Sequence, residues 1–172
     1  MNKKIEAAVN EQINAEMYSA YLYLSMSGYF QSKGLTGFAK WMEIQAAEEF
    51  SHAKRFYDYL FHKGGRISLK PIQGPPGDWD STENVFHEVL KHEEKVTSLI
   101  NSLVDLAIQE KDHATNNMLQ WFVSEQVEEE ANATDIINKI KLIGNDGNGL
   151  FMIDKELGVR VLDPLIFQSM TV

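Results

Sequence analysis

Glu16, Glu49, Glu93 and Glu129 each interrupt an otherwise apolar, helix-periodic run. Two of them have a polar companion one turn away: His52 after Glu49, and Gln126 before Glu129. Carboxylate and imidazole together suit iron or manganese, and zinc as well. Glu49 and His52, at i and i+3, fall on one helix face and can share a metal. Four carboxylates gathered in an apolar interior cannot all stay ionised unaided, because desolvation costs several kcal/mol per ion and like charges repel. Two divalent cations balance four carboxylate charges, and a neutral imidazole adds a ligand without adding charge. The chemistry on offer is a dinuclear metal centre, if the chain brings these groups together.

The elements that must do so are long helices separated by recognisable breakers. The first is predicted from about Lys3 to Lys33, stopping at Gly34, and the second from near Thr36 to the Gly64-Gly65 pair. A third begins after Asp80, whose spacing to Glu83 resembles a capping box, and runs to about Glu110. A fourth spans about Ala114 to Ile143, ending at Gly144, and a short fifth roughly Gly149 to Leu157. The first and last pairs of long helices have short connections and must be antiparallel neighbours. Between the second and third lie Gly64 to Ser81, with Pro71, Pro75 and Pro76. Roughly 18 extended residues reach about 59 Å, whereas a helix of about 28 residues is about 42 Å long. The linker can cross the whole bundle and set the third helix parallel to the second. The fold class is all-α, a four-helix bundle with one long crossover and a short fifth helix.

Steps of three and four trace the core stripes. They run through Val9, Ile13, Glu16 and Tyr23; Met42, Gln45, Glu49, His52 and Phe56; Leu90, Glu93 and Val96; Phe122, Gln126, Glu129 and Ala133. Every stripe is broken near its midpoint, and midpoints of helices of similar length meet at one level whichever way they run. A lone buried Glu or His is ordinarily a satisfied core polar group. Four helices interrupted at matching depth are a convergent site, so Glu16, Glu49, His52, Glu93, Gln126 and Glu129 are expected to meet inside the bundle.

Composition narrows the partners. The 172 residues include no cysteine, which excludes thiolate zinc sites, disulfides and a cysteine nucleophile. A formal net charge of −9 repels a phosphate backbone, so cations rather than nucleic acid are the expected guests. The N-terminal lysines are followed by no apolar signal region, and the apolar stretch from Met17 to Phe30 is too short to span a bilayer. No membrane partner is expected, and the cytoplasm is the expected location.

The stretches NEQINAEMYSAYLYLSM, AAEEFSHAKRFYDYL, KHEEKVT and KDHATNNMLQWFVSEQVEEE, with the proline-bearing crossover between them, resemble the prokaryotic non-haem branch of the ferritins. The resemblance covers nearly the whole chain and implies one ferritin-like di-iron domain over 1–172. It implies a ferroxidase that oxidises Fe2+ with dioxygen or peroxide and stores ferric iron as a mineral in a hollow shell, usually of 24 copies. By position, Glu16, Glu49 and His52 resemble the ligands of the first iron, and Glu93 and Glu129 those of the second, with Glu49 bridging. Gln126 matches the polar residue beside the dioxygen-binding region. Glu48, Glu125 and Glu128 resemble a third iron site, though solvated acidic faces would look the same; Glu130 acquires no role. Tyr23 resembles a tyrosine that hydrogen-bonds near the site and can donate an electron, and Trp121 a packing residue with a redox contribution. Asp112, His113 and Asn117 lie where the family borders a pore.

Departures from related families matter too. Bacterioferritins carry their haem-ligating methionine directly after the second-helix glutamate, where this chain has Phe50, so no haem is expected. Small DNA-protecting relatives build their site between subunits, against which the complete set within one bundle argues. Two other readings stay open at this level: a di-iron redox enzyme that consumes peroxide without storing iron, and a non-catalytic helical assembly with a buried polar network. The tail RVLDPLIFQSM and the apolar residues Leu150, Phe151 and Ile153 could pack locally or against another copy.

Overall fold

The computed structural model describes residues 1–164. It contains α1 (Lys3–Ser32), α2 (Thr36–His62), α3 (Thr82–Gln109), α4 (His113–Ile143) and α5 (Gly147–Leu157), with no strand among the described residues. The four long helices and the crossover match the expected architecture. Most of the apolar tail, from residue 165 onward, lies outside the described residues.

Helix ends follow local chemistry, with two departures from expectation. At the start of α3 the cap is Ser81, whose hydroxyl accepts the Asn84 amide at 3.0 Å; Asp80 does not form the expected box with Glu83. One residue of register decides this, because a cap must reach the third amide of the first turn. At the start of α5 the Asp146 carboxylate accepts the amides of Asn148 and Gly149, so that helix begins two residues earlier than expected. α1 stops at Gly34, whose φ of +75° lets the Leu35 amide reach back to the Phe30 carbonyl. α3 makes the same kind of stop without glycine: Lys111 takes φ 54°, a left-handed conformation that costs a residue with a side chain about 1–2 kcal/mol.

The helices pair as two antiparallel hairpins, α1 with α2 and α3 with α4, laid face to face. Aromatic contacts fix the directions. Phe38, early in α2, lies 5.8 Å from Phe86, early in α3, while Phe56, late in α2, stacks at 4.0 Å on Phe122, early in α4. α2 and α3 are therefore parallel, as the crossover requires. The apolar core is divided. One cluster holds Tyr23, Met26, Phe30, Phe38, Met42, Phe86, Ala133 and Ile136; the other holds Val9, Ile13, Phe56, Leu60, Val96, Ile100, Leu119 and Phe122. Between them every long helix contributes buried polar residues, which is the matching interruption the stripes predicted.

α5 docks on the start of α2. Leu35, the N-terminal capping residue of α2, offers no side-chain hydrogen bond, and Asp154 of α5 supplies it instead: its carboxylate accepts the amides of Gly37 and Phe38 at 2.8 and 3.0 Å. The approach is so close that a Cβ on Gly37 would lie 1.6 Å from the Asp154 carbonyl oxygen. Gly37→Ala is expected to lower stability by about 1–3 kcal/mol as α5 is pushed off. Gly28→Ala, in an α1 position where a Cβ meets nothing within 4 Å, is expected to raise it by up to about 1 kcal/mol. Thermal unfolding of the two variants checks both signs, and equal effects would contradict the docking geometry.

Candidate metal centre

Each long helix delivers its polar group at the level where the two apolar clusters part. Glu16, Glu49 and His52 come closest to one another: one donor atom from each lies within 4.8 Å of the others, and all three residues are buried. His52 Nδ1 is 3.6 Å from Glu49 Oε2, which the i, i+3 spacing made possible. Gln12, one turn before Glu16, donates to Glu16 Oε1 at 2.7 Å. Glu16 Oε2 and Glu49 Oε1 are buried with no hydrogen-bond partner. A buried acceptor left unpaired costs roughly 1–3 kcal/mol, more when charged. A cation between these two oxygens and the imidazole satisfies all three groups, so the donor set fits a metal.

The other half is held differently. The Tyr23 hydroxyl donates to Glu93 Oε1, and the Gln126 amide donates to Glu93 Oε2 at 3.1 Å. Gln45 donates to Glu129 Oε2 at 2.8 Å. The Gln126 amide also faces the Thr97 hydroxyl at 3.3 Å, and that hydroxyl donates to Glu130 at 2.5 Å. Glu130, without a role in the sequence, is the outer end of this chain of hydrogen bonds. His92, beside Glu93 in sequence, points elsewhere: it bonds the Ser19 hydroxyl at 2.8 Å and is not part of the cluster.

Of the outer carboxylates, Glu125 lies 3.9 Å from His52 Nε2 and Glu48 is bound by Arg160, whereas Glu128 is exposed. Trp121 packs edge-on against His52, with the Arg55 guanidinium 4.0 Å from the Trp121 ring centre. Asp112 caps α4 and faces Lys63, and His113 and Asn117 are exposed. Sequence periodicity located the carboxylates but missed Gln12, Thr97 and Arg160. Gln12 had a usable signal, its i, i+4 spacing to Glu16; Arg160 had none.

Burial dominates the electrostatics. It pushes the Glu16 and Glu49 carboxyls well above the ordinary range, reinforced at Glu16 by Glu49 and at Glu49 by Glu93 and Glu129. Glu93 is raised by burial, opposed by the hydrogen bonds from Tyr23 and Gln126. Glu129 is raised to about 7 by burial and the charge of Glu93. Tyr23 is pushed well up by burial and by the surrounding carboxylates, Glu93 first.

A bundle of this topology, with carboxylates and a histidine converging from four helices, defines the ferritin-like class. The sequence profile of the ferritin-like domain matches residues 6–143. The bacterial non-heme ferritin of Bacteroides fragilis is 47% identical over 160 residues, covering 93% of this chain and 99% of its own. That of Campylobacter jejuni is 42% identical, covering 90% and 93%. A solved structure described as a novel open pore ferritin from Archaeoglobus fulgidus superposes with a TM-score of 0.93 at 52% identity, covering 94% of this chain and 98% of that one. The chain belongs to the ferritin family.

Raised carboxylate pKa values have a signed consequence. The folded chain binds these protons more tightly than the unfolded chain, so metal-free stability falls as pH rises from the unfolded value through the folded one. For Glu129, from 4.5 to about 7, the loss amounts to roughly 3 kcal/mol. Metal-free protein is expected to melt at a lower temperature at about pH 7.5 than at about pH 5. Saturating divalent cation should remove most of that fall, and Glu129→Gln part of it. A melting profile that is flat in pH and indifferent to cations would contradict these electrostatics.

Proposed function

We propose that the protein is an iron-storage ferritin that oxidises Fe2+ at a di-iron centre within each chain, the whole of 1–172 serving as one ferritin-like domain. The observation that carries this reading is the pair of buried, unpartnered oxygens on Glu16 and Glu49 beside His52. Glu16, Glu49 and His52 hold the first iron; Glu93 and Glu129 hold the second, with Glu49 between them. Iron here is substrate and cargo. Two Fe2+ give up one electron each, and dioxygen takes both with two protons to become hydrogen peroxide. Where peroxide is the oxidant, the same two electrons and two protons yield two waters.

Product release follows from charge. Oxidation takes the pair of metals from +4 to +6 against an unchanged carboxylate set, which favours hydroxide and oxide as partners and hence transfer toward a mineral. Gln126 orients Glu93 and marks the side for the oxidant. Tyr23, hydrogen-bonded to Glu93, is positioned to give one further electron to the dioxygen or peroxide being reduced at the centre while its proton passes to that carboxylate. Glu48, Glu125 and Glu128 form an outer third iron position on the way out.

Storage needs a container, and one bundle has none. Phe50, Tyr57 and Leu69 are exposed around an apolar cleft of about 330 Å3 that also touches Ile13 and Met17. Such a face suits burial against other copies of the chain, in a hollow shell of 24. No described helix is long and apolar enough to cross a membrane, and the proposed site of action is the cytoplasm.

The double variant Glu49→Ala with His52→Ala is expected to slow aerobic Fe2+ oxidation by more than about tenfold while the assembled mass is unchanged. Unaltered oxygen consumption would refute the assignment. Native mass and iron content after aerobic loading of the unaltered protein separate storage, with far more iron than two atoms per chain, from a di-iron enzyme that stores nothing.

A further inference from the structure

The segment after α5 reaches back to the metal centre through one side chain. Arg160 donates through one guanidinium nitrogen to Gln45 Oε1 and through the other to Glu48 Oε2 at 2.6 Å. Gln45 in turn donates to Glu129, so the guanidinium stands one residue from the inner carboxylates and directly on an outer one. Its backbone is pinned: α5 is docked on α2 through Asp154, Lys40 bonds the Gly158 carbonyl at 2.9 Å, and the Arg160 amide bonds the Leu157 carbonyl at 3.3 Å. The guanidinium also packs 5.0 Å from the Trp41 ring centre. Beside it opens a cleft of about 400 Å3 lined by Trp41, Asn132, Asp135 and Glu156, with room for the side chain to swing into.

A guanidinium shared between an amide oxygen and a carboxylate oxygen is a fixed cation, and the oxygen it occupies, Glu48 Oε2, is not free to ligate a metal while the bond holds. We propose that Arg160 is a cationic latch on the outer iron position, holding Glu48 until iron displaces the guanidinium. It thereby couples the segment following α5 to iron leaving the inner centre. Among the described residues the bundle's own Arg55 and His52 act on the outer carboxylates through charge, at Glu125 and Glu48 respectively, whereas the hydrogen bond to Glu48 comes from Arg160. The inference rests on the outer carboxylates being an iron position, as proposed above.

Anaerobic Fe2+ titration of the assembled protein by calorimetry, with metal counted per chain, tests the latch. In Arg160→Ala the two inner sites are expected to be unchanged and the outer site to tighten by roughly tenfold. Arg160→Lys, which keeps a cation but cannot hold Gln45 and Glu48 together, is expected to fall between. Retained binding at two sites certifies that the variants fold. Three sites of equal affinity in both proteins, reduced to two by Glu48→Gln, would overturn the latch while leaving the outer site standing. Two sites in every variant would remove the outer site and the latch with it.

Discussion

Everything in this molecule is arranged around the cost of placing four carboxylates in the middle of a hydrocarbon core. Two apolar clusters hold the bundle together, and the polar belt between them would be a fault line if its charges were uncompensated. Part of the compensation comes from the protein itself. Gln12, Gln45, Gln126 and Tyr23 each donate to one carboxylate, and all four are buried. The remainder is left undone at Glu16 and Glu49. A fold with adequate core elsewhere can carry such a defect, and a defect of this chemistry selects cations.

Much of this was legible in the chain because helical bundles translate sequence depth into spatial level. Glu16, Glu49, Glu93 and Glu129 lie near the centres of helices of similar length, so no knowledge of packing was needed to bring them together. The crossover was equally readable, since only a long connection allows α2 and α3 to run parallel, as Phe38 and Phe86 show. Local chemistry predicted the helix stops at Gly34, Gly64 and Gly144, all three of which take positive φ.

What escaped were contacts between residues far apart in sequence with no periodic signature. Asp154 caps α2 from more than a hundred residues away, and Arg160 reaches Glu48 over a similar distance. Neither belongs to an apolar stripe, and neither shows its partner in its neighbours. Lys111 escaped for another reason: the left-handed stop at the end of α3 is imposed by the tight turn into α4, not by the residue's own preference. Ser81 displaced Asp80 as the cap of α3 because both residues are good caps and only the register of the first turn chooses between them.

The two halves of the proposed centre are therefore unequal, and the inequality has a direction. Around Glu16, Glu49 and His52 a cation meets oxygens that nothing else satisfies, so its arrival breaks no hydrogen bond at those atoms. Around Glu93 and Glu129 it must compete with Tyr23, Gln126 and Gln45. A cation at the first position also compensates Glu49, whose carboxyl is raised by the charges of Glu93 and Glu129, so the two halves are linked through that residue. Under the proposed assignment the half with orphaned oxygens is the one to fill first. Farther out, Glu48 is held by the Arg160 guanidinium, which a metal at the proposed outer position has to displace. On that same proposed assignment, affinity steps down from the inner position to the outer one, which gives a ferric product repelled by its neighbour a graded route outward.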